Sequence, residues 1–400
     1  MKKNLIVLAA IGTFAGMAQA QSTVTIYGLL DANIGIFKTN VVVGNTVQNL
    51  SQRAVQTDGL SGSRWGFRVS EDLGNGLAAV ANLESGMAMD TGASAQGGVL
   101  FGRRANVGLA GGFGTVTIGR NTSSYEDVSS EGSAMGHSVI FDPSQTNNGP
   151  STAVAGSALT AGSAATLLSH GSKTWIGYQT RFNNSIKYIS PNIAGFTGSL
   201  TYAVGEDKSN PVVSANASKS ISVFLKYVNG PLLVSGGHQS EAPGGTLAVA
   251  GAGVTNAANG SARPALQNTL INVAYDFGML KIAGGLNRAK FKDVSAPAQL
   301  NGGSVGGAFA AQKEVTLSVA VPVGAAMLSA GYAQSKGDTL GKSAGVGVQA
   351  LYALSKRTTL YAGGLNVKAY DKLAAAVVVG LPGSSIGRTT TYAAGIRHTF

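Results

Sequence analysis

Along most of this chain apolar side chains recur with a period of two, the spacing of a strand that shows two unlike faces. In the first such stretch Val24, Ile26 and Leu30 share one face, and Thr25, Tyr27, Asp31 and Asn33 share the other. Ile221, Val223, Leu225 and Tyr227 alternate with Ser222, Phe224 and Lys226, and Val315, Leu317, Val319 and Val321 with Thr316, Ser318 and Ala320. Only 12% of residues are charged, about half of the roughly 25% usual in a soluble protein. Hydrophobic residues make up 44%, too many for a disordered chain. Beyond the first twenty residues no stretch offers the ~20 consecutive apolar residues that a membrane helix needs. The best of them, Leu373–Leu381, is too short. A chain that avoids charge, lacks spanning helices and alternates in this way has one route across a bilayer: a closed β-barrel with its apolar face to lipid and its polar face to a lumen.

The pattern occupies segments 22–36, 62–72, 76–88, 99–110, 114–121, 182–190, 195–205, 218–229, 231–241, 267–277, 279–290, 311–322, 325–336, 343–354, 357–369 and 388–400. This predicts an all-β fold, a 16-stranded antiparallel transmembrane β-barrel. Short turns such as Leu73–Asn75, Gly111–Phe113 and Ser355–Lys356 alternate with long loops such as 37–61, 122–181 and 370–387. Short turns at one rim and long loops at the other are the habit of an outer-membrane barrel, with both termini at the short-turn, periplasmic rim. A Gly-rich solenoid would show a fixed short repeat, and none is present. Ahead of the barrel, Met1-Lys2-Lys3, the apolar run Leu5–Phe14 and Ala18-Gln19-Ala20 make up a secretory signal peptide over residues 1–20, leaving 21–400 as one barrel. With no Cys, the chain can hold neither disulfides nor Cys-based metal sites.

The last strand ends on Phe400. Tyr392, Ala394, Ile396 and His398 lie on one face, and Ala393, Gly395, Arg397 and Thr399 on the other. Aromatic rings at strand ends suit the membrane interface. With this ending, the stretches STVTIYGLLDANIG, SGSRWGFRVSEDLGNGLAAVANLE, FGRRANVGLAGGFGTVTIGRN, NNSIKYISPNIAGFTGSLTYAVGE, YALSKRTTLYAG and GIRHTF give the chain a resemblance to the bacterial general porins, the trimeric porins of β-proteobacteria above all. The resemblance spans Ser22 to Phe400. It implies a homotrimer in the outer membrane of a Gram-negative bacterium, with each subunit enclosing a water-filled pore that a third, inward-folded loop narrows. Strands 1 to 5 and 16 would face the other subunits. The implied partners are outer-membrane lipids and lipopolysaccharide, small hydrophilic solutes and inorganic ions, and the barrel-assembly machinery that receives the Phe400 end.

The third long loop is chemically distinct. Asn121–Ser172 contains no Lys or Arg but has the acids Glu126, Asp127, Glu131 and Asp142, within a chain of formal net charge +11. Folded inward, it would set an acidic edge against a basic wall, and low-dielectric walls concentrate such a field. Strand parity directs Trp65, Phe67 and Val69 to lipid and Arg64 and Arg68 to the lumen; it directs Ile186 and Tyr188 outward, Lys187 and Lys226 inward, and Arg181 inward if the strand begins there. Arg120 shares the outward parity of Ile118 and Val116. By resemblance, Arg64, Arg103 and Arg181 occupy the family's constriction positions. Arg103 and its neighbour Arg104 fall on opposite faces of the segment, and the pattern does not choose between them. The family's usual acidic-aromatic-glycine turn is replaced here by Phe141-Asp142-Pro143, followed by the Ser/Ala/Gly-rich Pro150–Ser169.

Nothing points to catalysis. G-x-S-x-G occurs at Gly341–Gly345, Gly302–Gly306 and Gly383–Gly387, each in a Gly-rich loop or strand start with no strand-to-helix elbow. Gly341-Lys342-Ser343 lacks the upstream glycine of a phosphate loop, whose place Lys336 takes. The four histidines lack metal-ligand spacing. No cofactor and no nucleic-acid partner is expected, because Lys and Arg are scattered over an exported chain. The expected function is passive diffusion of small hydrophilic solutes with a preference for anions. The alternative is a surface-exposed adhesin or binding barrel with a closed pore.

Overall fold

The computed structural model describes residues 22–43, 46–136, 138–144, 174–204, 219–241, 248–249, 252–253, 265–292, 311–338, 341–368, 370–371 and 384–400. The expected signal peptide and the stretch Pro150–Ser169 lie outside the described residues. Alternation becomes wall in the strands β1 (Thr23–Val43), β2 (Thr46–Thr57), β3 (Arg64–Gly74), β4 (Leu77–Gly86), β5 (Arg104–Gly111), β6 (Gly114–Thr122), β7 (Arg181–Ile189), β8 (Phe196–Val204), β9 (Lys219–Asn229) and β10 (Leu232–Glu241). The circuit continues through β11 (Ala265–Asp276), β12 (Lys281–Lys292), β13 (Gln312–Val323), β14 (Ala326–Gly337), β15 (Gly341–Ala353), β16 (Thr358–Lys368) and β17 (Ser384–Thr399). A short helix, α1 (Ser124–Ser129), follows β6.

Each wall strand pairs antiparallel with its neighbours, and β17 pairs with β1 from Leu29↔Thr399 to Val43↔Ser384, so the sheet closes without a free edge. β1 has two further partners in tandem. Thr23–Leu29 pair with Ser70–Arg64 of β3, and Ala32–Val43 pair with Thr57–Thr46 of β2. β2 and β3 are therefore one wall strand interrupted at 58–63, and the 17 stretches of the sheet form the expected sixteen-stranded barrel. The strand bounds differ from the sequence reading most at two places. β1 runs to Val43 and β2 begins at Thr46, inside the expected loop 37–61. TVQNLSQRAVQT is too polar for its alternation to show, and it owes its order to pairing with β1. The fifth stretch starts at Arg104 rather than 99, leaving Arg103 in a bend.

The two faces are the reverse of a soluble fold. Val24, Ile26, Leu225, Leu317, Val346 and Val348 are exposed on the outside, while Ser199, Ser222, Asn272, Ser318 and Gln349 on the inside are buried. Aliphatic groups can stand outward because lipid, not water, covers them. Apolar packing inside the barrel gathers beneath one inward segment, in a cluster of Tyr125, Val128, Trp175, Tyr178, Phe224 and Leu270 and another of Leu60, Met135, Phe141 and Tyr361.

Candidate functional site: the lumen and its inward loop

The chain leaving β6 turns into the barrel. Ser123 caps α1, its Oγ accepting the Glu126 N–H at 3.2 Å, and Glu126 and Asp127 in the first turn suit the positive end of the helix. Small polar side chains of the wall hold the loop from there on. Ser222 Oγ accepts the Tyr125 N–H at 2.7 Å, Asn272 Nδ2 donates to Val128 O at 2.7 Å, Ser318 Oγ accepts the Ala134 N–H at 2.7 Å, and Gln349 Nε2 donates to Met135 O at 2.7 Å. Each such bond contributes on the order of 1 kcal/mol net. Where Phe141 lies against the wall the loop comes close enough to need glycine: a Cβ on Gly347 would stand 1.8 Å from Phe141 O.

The interruption at 58–63 receives the tip of the loop. Asp31, fully buried, accepts N–H bonds from Gly59, Leu60 and Ser61 at 3.0, 2.8 and 2.9 Å, and the Tyr361 hydroxyl as well. The chain folded inward by these bonds offers Leu60 O to Val139 N–H at 3.3 Å and Gly59 O to Ile140 N–H at 3.1 Å. Burial raises the Asp58 carboxyl above its ordinary range, opposed by bonds from Ser63 and Thr57. The loop then returns along the wall. Thr174 N–H bonds Pro143 O at 3.1 Å, and the buried carboxylates Glu314 and Glu241 accept the N–H groups of Ile176 and Gln179 at 2.6 Å each.

The charged residues fall into two groups. Around Glu84 stand Arg103, whose Nε lies 2.7 Å from Glu84 Oε1, and Arg64, whose Nε lies 3.9 Å from Oε2. Tyr27 donates to Glu84 Oε2 at 2.7 Å, and its ring carries the Arg68 guanidinium at 4.1 Å. Arg104 is the direct cross-strand partner of Glu84, on the same inner face. Arg103 escapes strand alternation by lying in the bend, so it and Arg104 both belong to the Glu84 group. Arg181, which donates to Thr180 Oγ1 at 2.9 Å, lies in the fields of Arg103, Glu126, Arg120 and Glu84. Parity counted back from Lys187 does not fix its direction. Asn184 has φ +49° and the β6–β7 register shifts between Gly119 and Asn121. Arg120 follows its expected outward register beside Ala105 and donates to Gly102 O at 2.8 Å.

The second group is neutralised at the root of the loop. Lys187 is buried and inward. It donates to Thr122 O and Oγ1 at 3.1 and 3.0 Å and pairs with Asp127. Lys226 pairs with Glu131 at 3.0 Å. Asp142 is buried in the loop's own fold, where Ser133 and Ser144 donate to it. Glu126 makes no ion pair among the described residues and accepts the Tyr178 hydroxyl at 2.6 Å. Burial and that carboxylate push the Tyr178 hydroxyl well above the ordinary tyrosine range, so it stays a donor. The structure thus gathers Arg64, Arg68, Arg103 and Arg181 with Glu126, pairs Lys187 with Asp127 within the fields of Arg104 and Glu126, and engages Glu131 and Asp142 in contacts of their own. It adds Glu84, Tyr27 and Arg104 to the site. Glu84 was within reach of the same parity argument, since it stands opposite Gly66, between Arg64 and Arg68.

Phe400 completes the wall. Its N–H and C=O each pair with Gly28 at 3.1 Å, and its ring lies where a side chain on residue 28 would be.

Comparison with known proteins agrees with this architecture. Residues 7–371 match the profile of a family described as Gram-negative porin. An outer membrane porin protein of Bordetella pertussis is 30% identical over 100% of both chains, and outer membrane porin protein 32 of Delftia acidovorans is 31% identical over 90% of this chain and 88% of its own. Among solved structures, the anion-selective porin from Comamonas acidovorans superposes with a TM-score of 0.68 at 26% identity, over 95% of this chain and 100% of that one. Salmonella typhi OmpF in complex with daunomycin, at TM-score 0.62 and 15% identity over 94% and 97% of the two chains, shares the fold. The barrel of sixteen strands, its inward loop and these likenesses together place the chain in the Gram-negative porin family, as a protein of the outer membrane.

Proposed function

We propose that this porin is a water-filled diffusion channel for small hydrophilic solutes and inorganic ions, that it favours anions, and that Arg64, Arg68, Arg103 and Arg181, with Arg104 beside them, set the preference where the inward loop narrows the passage. One observation carries the reading: among the described residues of this group, the arginines outnumber the carboxylates left to oppose them. Glu84 is engaged by Arg103 and faces Arg64. Glu126 is the loop acid that acts most strongly on Arg181. Asp127, Glu131 and Asp142 are engaged elsewhere. Guanidinium groups stay charged and keep a planar set of donors, so a wall of them draws anions into a narrow, low-dielectric passage. The anion-selective character of the Comamonas acidovorans porin supports the same sign.

Such a channel works by diffusion, without catalysis, cofactor or nucleic acid. Its partners are further copies of the chain in a homotrimer, outer-membrane lipids and lipopolysaccharide, and the barrel-assembly machinery that receives the Phe400 strand. The test is the reversal potential of the refolded protein in a salt gradient. Anion preference is expected, and Arg64→Glu with Arg181→Glu shifts it toward cations. An unmoved reversal potential would remove these arginines from the selective site, and an electrically silent film would remove the channel.

A further inference from the structure

Half the barrel away from the arginines in strand order, the lumen wall carries a pocket of about 270 Å³ between the inward loop and the short-turn rim. Met135 is its roof, held by the bonds that Ser318 and Gln349 make to the loop backbone. Its walls are the apolar groups of Leu280, Ala320, Pro322, Met327 and Leu351, brought together from β13, β14, β15 and the turn before β12. The recess continues the apolar packing beneath the inward loop, to which Met135 also belongs, toward the short-turn rim. Two charged residues also line it, Asp276 and Lys281, direct register partners at the ends of β11 and β12. Neither takes part in an ion pair among the described residues. Asp276 Oδ1 accepts the Gly278 N–H at 2.8 Å.

Opposite charges side by side at the edge of a small apolar pocket set a narrow requirement. A simple organic anion would meet Lys281 but be repelled by Asp276, and an organic cation the reverse. A neutral apolar solute would leave Lys281 without a counter-charge and Asp276 with the Gly278 N–H alone, which is unfavourable where water is displaced. A solute with adjacent carboxylate and ammonium groups and one apolar arm satisfies all three surfaces. The volume lies just below the roughly 300–1,000 Å³ of drug-sized sites, which suits a small metabolite. We propose that this pocket is a binding site for an apolar α-amino acid in its zwitterionic form, with the carboxylate on Lys281, the ammonium on Asp276 and the side chain under Met135. The proposal rests on the channel reading, because the solute reaches the pocket through the lumen, and it names a solute class for that channel.

The experiment is single-channel recording of the refolded protein in KCl with L-phenylalanine added at the short-turn side. Expected is a saturable fall in unit conductance with added current noise. Glycine, 3-phenylpropanoate and phenethylamine, which lack the ring, the ammonium and the carboxylate respectively, should each act at least about tenfold more weakly. Lys281→Gln, which removes one charge, and Ala320→Leu, which fills the pocket, should each lose the effect when scored against the variant's own KCl current. The proposal falls if glycine, 3-phenylpropanoate or phenethylamine matches phenylalanine, or if either variant responds as the unmodified protein does. Loss of KCl current in the unmodified protein would overturn the channel reading, whereas intact current indifferent to phenylalanine overturns this site alone.

Discussion

Glu84 is the residue on which the basic wall depends. It takes a charge-assisted bond from Arg103, a longer contact from Arg64 and a hydrogen bond from Tyr27, and so holds like charges together that would otherwise repel. Glu84→Gln removes the carboxylate and keeps the shape. The expected outcome is stronger anion preference, read as a shift of reversal potential opposite in sign to that of the arginine replacements; no shift would mean that Glu84 does not face the permeating ions. Lys187 and Asp127 make the contrasting case. Their charges cancel at the loop root, so they contribute to stability rather than selectivity. Lys187→Met leaves Asp127 unpaired at a cost of about 2–3 kcal/mol, below the ~3–5 for a fully buried pair because the Asp127 side chain is 24% exposed. Lys187→Met with Asp127→Leu should recover most of that loss, as measured by the unfolding temperature in detergent. Arg64 and Arg68 were legible in the sequence because they sit in an unbroken alternation. Arg103 and Arg181 were named through the family resemblance, and strand parity alone could not place them, because a bend and a left-handed asparagine interrupt the count. The burial of Asp142 depends on Ser133, nine residues away in an irregular loop, a pairing that no periodicity encodes.

At the scale of elements, the interrupted second wall strand and the third loop act as one device. Asp31 faces inward, as its parity required, but its function is to gather three N–H groups of the interruption and present Gly59 and Leu60 to the loop tip. A strand reading takes DGLS for the end of an outer loop, because Gly and Ser are turn residues and the preceding TVQNLSQRAVQT is polar. The inward tuck appears only when β16, which stands two strands from β1 across β17, supplies Tyr361. Asp31→Asn puts an amide donor among those N–H groups. The barrel should persist while the tip loosens, giving larger and noisier unit conductance in planar bilayers. A unit conductance as steady as that of the unmodified protein would show that the tip is held by Phe141 packing against Tyr361 and Gly347 instead.

At the scale of the molecule, what remains is how the ends meet. A closed sheet has no edge to protect only once β1 and β17 have paired, and that pairing joins residues separated by nearly the whole chain, which makes it entropically expensive and late. Its final register pair sets the Phe400 ring over Gly28, the one place where the outward face of β1 lacks a side chain between Ile26 and Leu30. A Cβ there would lie 2.2 Å from the ring, so ring and glycine are complementary and each is conditional on the other. Gly28→Val should therefore slow refolding into detergent micelles, where no assembly machinery is present, and lower the temperature at which the heat-resistant folded band is lost on a gel. Phe400→Ala should have a smaller effect. If the clash is the cause, Phe400→Ala in the Gly28→Val background restores refolding, a coupling of the kind expected for residues in direct contact. Additive losses in the double variant would instead mean that Gly28 is needed chiefly for the close approach of the Arg64 carbonyl of β3, 2.9 Å from the same Cβ position, and that the ring closes the barrel through its membrane-facing contacts alone.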